Sequence, residues 1–229
     1  MTEATDRLDE QKRSAAVAAA ELIADGARVG LGTGSTVAHF LPALAARGLR
    51  LRCVTTSAAT DIQAEAVGIG TEPFIGRLDR LDVAVDGADQ VSPDLWLVKG
   101  GGGAHTREKI VATAAARFVV IVSSDKLVDR IGPPIPLEVL PFGLPATLRR
   151  IGELGPVRVR EAPTTPDGGV VADFLGDVDD PGALAVALAE VPGVVEHGLF
   201  PPALVSEVLV GRGDGSVERL EGPRPRPRA

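Results

Sequence analysis

The sequence is poor in cysteine and in aromatic residues. Cys53 is the only cysteine among 229 residues, and there is no tyrosine, one tryptophan and six phenylalanines. A single cysteine excludes an internal disulfide and a metal site built from several thiolates, and it is typical of a reducing compartment. Few aromatic rings leave few platforms on which single-stranded bases could stack. We therefore expect a cytoplasmic protein.

The sequence also lacks an excess of positive charge and any long apolar run. The formal net charge is −7, whereas nucleic-acid phosphates are held by clustered Lys and Arg, so we predict no nucleic-acid partner. An acidic protein can still hold a small anion in a local positive pocket. No stretch approaches the roughly 20 apolar residues that span a bilayer, and the polar first residues lack the layout of a secretory signal. We predict no membrane partner.

The whole chain is 45% hydrophobic and 24% charged. Strands and helices alternate over its first half. This alternation implies crossover connections and a largely parallel sheet covered on both faces, which is a doubly wound α/β domain. Ligands of such sheets bind beyond the carboxyl ends of the strands. Strands are predicted over residues 28–32, 51–55, 81–85, 95–98 and 118–122 and near Phe74, and helices over residues 8–25, 57–67, 104–117 and from the Gly32–Thr36 turn to Ala46.

From Gly132 the composition changes: a proline-rich segment is followed by shorter predicted elements. A helix over 145–152, strands over 157–161 and 170–174, a helix over 182–190 and a strand over 194–199 fit the split βαβ pattern of ferredoxin-like folds. A last strand pair could then return to the first sheet. We predict one domain from residues 1–131 and 204–220, a small α/β domain from 132–203, and a disordered Pro/Arg-rich tail over 221–229.

Gly32–Thr36 lies at a predicted strand-to-helix turn. Backbone amides at a helix N-terminus and the hydroxyls of Thr33, Ser35 and Thr36 can form a phosphate cradle. The structural alternative is a tight turn in which Ser35 caps the helix.

A second polar segment, Asp86–Asp89, directly follows the strand over 81–85. Its two carboxylates could transfer hydroxyl protons or hold a divalent ion, or they could form an Asp-Gly turn.

Lys99 precedes four successive glycines. Such a run is costly in chain entropy, so the backbone either adopts positive φ or approaches another group closely. Free amides beside a lysine suit a developing negative oxygen, and the alternative is a flexible hinge. Glu108, in the first turn of the next helix, could be catalytic or could favour the helix dipole. Lys126 follows the strand over 118–122 and could bind phosphate as a point charge or lie on the surface.

Taken together, these segments closely resemble the type A ribose-5-phosphate isomerase family. One glycine turn would be weak evidence, whereas these segments occur in the family's order over about residues 8 to 220. The matching stretches are residues 30–36, 55–57, 85–89, 99–104, 107–111, 124–126, 136–139, 192–195 and 198–200.

The resemblance implies a Rossmann-like catalytic domain with a smaller lid domain, a homodimer or homotetramer, and no cofactor or metal. It implies interconversion of ribose 5-phosphate and ribulose 5-phosphate through an enediolate, with a small sugar phosphate as the binding partner. Glu108 would be the base, Asp86 and Asp89 would move hydroxyl protons, and Lys99 would steady the intermediate. The implied substrate-binding residues are Thr33, Gly34, Ser35, Thr36, Asp86, Gly87, Ala88, Asp89, Lys99, Gly100, Gly101, Gly102 and Lys126.

Two positions depart from the family pattern, and other functions would require different residues. Gln90 replaces an expected acidic residue, and Asp167–Gly169 replaces an Asn-Gly-Asn turn. A related lactonase, deaminase or CoA transferase would need other proton-transfer groups or a larger cleft. A non-catalytic sugar-phosphate sensor would be expected to lose Glu108, which is present. A metal-dependent isomerase would use the Asp86 and Asp89 carboxylates as ligands.

Overall fold

The computed structural model describes residues 3–75 and 78–223. The predicted tail over 221–229 lies outside the described residues from position 224 onward. The chain forms two compact units, the first containing residues up to Ala88, Arg107–Leu127 and residues from Pro202, and the second Asp89–Thr106 and Val128–Pro201. The elements are α1 (Glu3–Glu21), β1 (Arg28–Leu31), α2 (Ser35–Ala45), β2 (Arg52–Thr55), α3 (Ala58–Ala66), β3 (Leu81–Asp86), β4 (Gln90–Val91), β5 (Leu97–Val98), α4 (His105–Ala114), β6 (Ala115–Ser123), β7 (Ile135–Val139), α5 (Leu144–Gly152), β8 (Val157–Val159), β9 (Val170–Phe174), α6 (Pro181–Ala189), β10 (Val194–His197), β11 (Leu199–Phe200), β12 (Glu207–Gly211) and β13 (Val217–Glu221).

The first unit is built on a six-stranded sheet in the order β13-β12-β6-β3-β1-β2. Neighbouring strands from β12 to β2 pair in parallel, and β13 pairs antiparallel with β12. Strand β6 is buried on both faces of the sheet from Phe118 onward, and this burial explains its continuous apolar run. Residues 119–122 are all β-branched. The predicted Rossmann-like α/β class is confirmed.

The order of the strands reverses beside β1. The chain passes from β1 to β2 on one side and later to β3 on the other side of β1. This reversal opens a crevice beyond the carboxyl ends of β1 and β3, where doubly wound proteins bind their ligands. Farther along the sheet, β12 pairs with β6 from Glu207–Val119 to Gly211–Ser123. The buried Glu207 accepts a hydrogen bond from Arg117 Nη2 at 2.6 Å through Oε1, and its Oε2 forms an ion pair with Arg219 Nε at 2.8 Å.

The second unit contains the predicted split βαβ fold. Its four-stranded antiparallel sheet has the order β10-β7-β9-β8, and α5 and α6 provide the two crossovers. Strand β7 lies in the proline-rich segment, where the sequence had no clear strand signal. Pro136 is tolerated there because its carbonyl accepts from the Gly198 amide at 2.7 Å, while the Gly198 carbonyl, which an amide at position 136 would meet, already accepts from the Lys99 amide at 2.9 Å.

Residues 89–106 belong to the second unit, whereas the sequence analysis assigned them to the larger domain. The reason is strand pairing, since β4, β5 and β11 form a separate three-stranded sheet. The division into a catalytic and a lid domain stays a prediction. The strand predicted near Phe74 is wrong, because residues 74–75 form a bend and only Thr71 makes an isolated bridge, to Cys53. Within residues 3–75 and 78–223, no helix combines the length and apolarity needed to cross a membrane.

Candidate active site

The loop after β1 leads directly into α2. Gly34 is the N-cap of α2, with φ 117°, and provides no side-chain cap, so the alternative in which Ser35 caps the helix is wrong. Gly34 and Ser35 are exposed, whereas Thr36 is buried. The first amides of a helix have no partner within the helix and carry the positive end of its dipole. The loop therefore places a helix N-terminus, a geometry that suits an anion, at the carboxyl end of β1.

A network of hydroxyl groups holds this loop in place. Thr33 Oγ1 lies 2.7 Å from Thr56 Oγ1 and donates to Ser57 Oγ at 2.9 Å. Thr60 Oγ1 donates to the carbonyl of Gly32 at 2.8 Å. Thr33 was predicted to bind substrate, and the structure directs its hydroxyl into this network. Thr56 and Ser57 fall in a stretch that matches the family, but the sequence alone assigned no role to Thr56, Ser57 or Thr60.

Asp86 connects the loop after β1 with the end of β3. It is 3% exposed, and its Oδ1 accepts hydrogen bonds from the amides of Thr33 at 3.1 Å and Gly87 at 2.7 Å. A Cβ built on Gly32 would lie 2.0 Å from Asp86 Cγ. Glycine is therefore required at position 32 to let the carboxylate reach the crevice.

Glu108 lies in the first turn of α4 and is 5% exposed. One turn later on the same helix face, Val111 packs against β1, since its Cγ1 would lie 2.4 Å from a Cβ built on Gly30. A crossover helix runs opposite to the parallel strands that it connects, so the first turn of α4 lies towards the carboxyl ends of the strands. The Glu108 carboxylate is thus buried at the same edge of the first unit as Asp86.

Lys126 ends a short 3-10 turn that follows β6. Its Nζ lies 3.4 Å from Asp125 Oδ2, and both side chains are partly exposed. Burial tends to raise the pKa of Asp125, but the hydrogen bond from Ser123 and the charge of Lys126 together hold that pKa below its usual value. Gln11 fixes the turn by accepting from the Ser124 amide at 2.9 Å. The lysine therefore follows a parallel strand at the ligand-binding edge of the sheet.

In the second unit, Lys99 directly follows β5. Its amide donates to the carbonyl of Gly198 at 2.9 Å, and a Cβ built on Gly198 would lie 2.2 Å from the Lys99 carbonyl oxygen. The side chain is 3% exposed, and Nζ lies 5.6 Å from the centroid of the Phe200 ring. The aromatic face stabilises the ammonium by a cation–π contact and fixes its position.

The glycine run after Lys99 has one defined conformation. Gly100 and Gly103 have φ values of 103° and 75°, which disfavour other residues. A Cβ at Gly101 would lie 2.8 Å from Asp89 Oδ1, while the Gly101 amide donates to Asp89 Oδ2 at 2.8 Å. Gly102 differs, because a Cβ there meets no heavy atom of the described part of its unit within 4 Å, and its φ is not positive.

Arg160 holds the other side of the glycine run. Its Nη1 donates to the carbonyls of Gly100 at 3.1 Å and Gly101 at 2.9 Å. Its Nε donates to Asp173 Oδ2 at 3.0 Å, and its Nη2 donates to Asp173 Oδ1. Sequence reasoning missed this arginine, which lies in the predicted strand over 157–161. No local pattern connected it to glycines about 60 residues earlier in the chain.

The predicted site residues are distributed over both units. Thr33–Thr36, Asp86–Ala88, Glu108 and Lys126 belong to the first unit, and Asp89 and Lys99–Gly102 belong to the second. Within the first unit, the structure brings Thr33, Asp86 and Gly87 into direct contact. Within the second, it joins Asp89 to Gly101. Over residues 3–75 and 78–223, no group of three or more His, Cys, Asp or Glu side chains could hold a metal ion.

Comparison with known proteins gives consistent results. Residues 52–215 match the family model of ribose 5-phosphate isomerase A (phosphoriboisomerase A). The ribose-5-phosphate isomerase A of Nitrobacter hamburgensis is 48% identical, over 93% of this chain and 99% of the relative. The enzyme of Neisseria gonorrhoeae superimposes with a TM-score of 0.89 and 31% identity, over 94% of this chain and 98% of that chain.

A further solved structure is a D-ribose-5-phosphate isomerase in complex with phospho-erythronic acid. It has a TM-score of 0.87 and 34% identity, over 93% of this chain and 99% of that chain. The agreement in sequence and structure extends over nearly the full length of each relative, and it includes both units. The chain therefore belongs to the ribose-5-phosphate isomerase A family.

Proposed function

We propose that this chain interconverts D-ribose 5-phosphate and D-ribulose 5-phosphate through an enediolate. The observation that carries the proposal is the position of the buried Glu108 carboxylate, which lies at the same sheet edge as the N-terminus of α2, where no side chain caps the helix. The chain belongs to the isomerase family described above. The reaction needs a base for a C–H proton and a site for a phosphate dianion. The first unit contains groups suited to both.

Phosphate binding is assigned to the loop before α2 and to Lys126. The exposed Gly34 and Ser35 offer amides and a hydroxyl at the positive end of the helix dipole. Thr33 contributes mainly by fixing the loop, because its hydroxyl is engaged by Thr56 and Ser57. The single charge of Lys126 adds an electrostatic attraction that requires no particular orientation of the phosphate.

Proton transfer is assigned to Glu108. In the aldose-to-ketose direction its carboxylate takes the proton from C2 of the open-chain sugar, and the C2–H electron pair forms the C1–C2 double bond of the enediolate. The same group then returns the proton to C1, while the hydroxyl proton of O2 moves to O1. One carboxylate that acts as base and then as acid makes a redox cofactor unnecessary.

The developing oxyanion and the hydroxyl protons are assigned to residues of both units. Lys99 and the amides of Gly100 and Gly102 supply fixed donors for negative oxygen, and Gly101 lies between them with its amide bonded to Asp89. Asp86 and Asp89 contact the sugar hydroxyls, with Gly87 and Ala88 between them. Phospho-erythronic acid, bound by a solved relative, likewise combines a phosphate with an anionic oxygen group.

Three further properties are part of the proposal. The protein acts without cofactor or metal, works in the cytoplasm, and assembles as a homodimer or homotetramer. A redox cofactor is unnecessary because an aldose–ketose proton shift needs no electron acceptor, and the need for a metal is decided by turnover in excess chelator. The single buried cysteine supports a reducing compartment.

The test of this function is the formation of ribulose 5-phosphate from ribose 5-phosphate by the purified chain, with excess chelator and no added cofactor. We expect robust turnover. Turnover that requires a divalent ion would transfer the Asp86 and Asp89 carboxylates to a metal-binding role. Tight sugar-phosphate binding without turnover would instead favour a sensor.

Gly102 provides a prediction that separates folding from catalysis. Because neither backbone conformation nor packing within its unit requires glycine there, we expect Gly102→Ala to leave the urea midpoint unchanged. If the substrate lies against this amide, the added methyl lowers kcat/KM by about 10- to 100-fold through misplacement. Gly132→Ala, where a Cβ also meets nothing in the described residues, is the control. Normal turnover of Gly102→Ala would remove position 102 from the substrate site.

A further inference from the structure

We infer that Arg160 is a positioning residue that orients the amide of Gly102 towards the reacting oxygen by holding the carbonyls of Gly100 and Gly101. The inference rests on the proposed function and assigns a role to a side chain outside the predicted site. All residues that carry it belong to the second unit.

The geometry of the peptide bond makes the connection between carbonyl and amide. In a trans peptide the carbonyl of one residue and the amide of the next point in opposite directions within one plane. Arg160 holds the Gly100 carbonyl, and the Gly101 amide on the opposite side donates to Asp89. Arg160 also holds the Gly101 carbonyl. The Gly102 amide is therefore directed away from the guanidinium, as the Gly101 amide is.

The donor arrangement of arginine suits this task. A guanidinium offers five N–H donors in a rigid plane. Nε and Nη2 of Arg160 form a two-point contact with Asp173, which is 8% exposed, while Arg160 itself is 22% exposed. This contact fixes the plane, so that Nη1 faces the two carbonyls at a set angle. A lysine in this position could keep the ion pair but could not hold the same geometry.

The restraint matters because glycines resist misplacement poorly. Gly101 and Gly102 are exposed and lack side chains that could anchor them by packing. Without Arg160, the Gly101 carbonyl would lose its donor, while the Gly100 carbonyl would still accept from the Gly103 amide at 3.0 Å. The peptide plane between Gly101 and Gly102 could then rotate. A donor that must meet an oxyanion loses most of its effect when it has to reorient during the reaction.

The first experiment compares Arg160→Ala with Arg158→Ala, which removes an exposed arginine two residues earlier on β8. For Arg160→Ala we expect kcat to fall by about 10- to 100-fold. The KM for ribose 5-phosphate should stay within about threefold, because the phosphate-binding groups are unchanged. Added guanidinium ion should restore part of kcat. Arg158→Ala should behave as the wild type in each measurement.

The second experiment measures amide hydrogen exchange in the peptide that covers residues 99–104, without substrate. Arg160→Ala should exchange faster there, whereas peptides from the β7–β9 ladder should exchange as in the wild type. Arg160→Lys, which keeps the charge and is less disruptive to folding, should show a smaller change in the same direction. Asp173→Asn should act through Arg160. The factor by which kcat falls in the double variant, Arg160→Ala with Asp173→Asn, should then be smaller than the product of the factors for the two single variants.

The outcomes separate the two proposals. Wild-type kcat in Arg160→Ala, or a raised KM with unchanged kcat, would overturn the positioning role. Unchanged exchange of residues 99–104 in both Arg160 variants would overturn the restraint itself. A wild-type protein without isomerase activity would overturn the proposed function and the catalytic part of this inference, while the exchange measurement would still decide whether Arg160 restrains the glycine run.

Discussion

The Glu108→Gln protein is expected to lose about a thousandfold in kcat while it still binds sugar phosphates. Glutamine has nearly the shape of glutamate, so the packing of the first turn of α4 is kept. It cannot accept a proton from carbon at neutral pH, and therefore proton removal at C2 fails. The measurement is steady-state kcat together with the exchange of the C2 proton of ribose 5-phosphate in deuterated water, which we expect to stop.

Two controls make this result specific. Glu65→Gln changes an exposed glutamate on α3 and should leave kcat unchanged. Calorimetric titration with phospho-erythronic acid, which cannot isomerise, should give similar affinities for the wild type and Glu108→Gln. Near-normal turnover would remove Glu108 from the mechanism, and C2 exchange that continues without turnover would assign the proton removal to another group.

Removal of the Lys99 charge should have the second largest effect. In Lys99→Met the side chain keeps its length and its contact with Phe200, but the ammonium is lost. Since a fixed donor to a developing oxyanion contributes mainly in the transition state, we expect kcat to fall by about 100- to 1,000-fold with a smaller change in KM. Steady-state kinetics at saturating ribose 5-phosphate measures this loss.

The stability of Lys99→Met serves as its internal control. Its urea midpoint is measured beside kcat, because loss of the cation–π contact with Phe200 affects stability separately from catalysis. Lys12→Met, which changes a lysine of α1 far along the chain, should leave kcat unchanged. A Lys99→Met enzyme that keeps most of its kcat would show that the glycine amides suffice to stabilise the intermediate.

Strong local signals made much of the fold predictable. The β-branched run over 118–122 and the alternation of strands and helices led directly to the parallel sheet, which the structure contains. Elements governed by tertiary pairing were missed or misassigned. Strand β4 has two residues and exists because it pairs with β5, so it leaves no periodic pattern. Residues 89–106 join the second unit through the β5–β11 pairing, which connects positions about 100 residues apart in the chain.

The candidate site divides in the same way. The glycine run can be recognised from the sequence, because glycines at successive positions are unusual and need a structural reason. Gly32 and Asp86 can be recognised because Gly32 ends a predicted strand and Asp86 directly follows one. The Asp86–Gly32 contact and the direction of the Thr33 hydroxyl depend on how two strands pair, and no residue type indicates them. Arg160 is the clearest case, since an arginine next to a short strand, two residues after the exposed Arg158, resembles any surface arginine. Its role rests on two carbonyls and one carboxylate brought together by the fold.

The pairing of β12 with β6 has a consequence for synthesis of the chain on the ribosome. About 80 residues separate the end of β6 from the start of β12. At ordinary elongation rates this interval lasts about 4 to 16 s. Throughout it, the Phe-Val-Val-Ile-Val segment of β6 has one open edge, and an open apolar strand edge is a template for aggregation. A nascent chain that has emerged only as far as the second unit therefore still exposes an apolar strand edge that β12 covers in the complete fold.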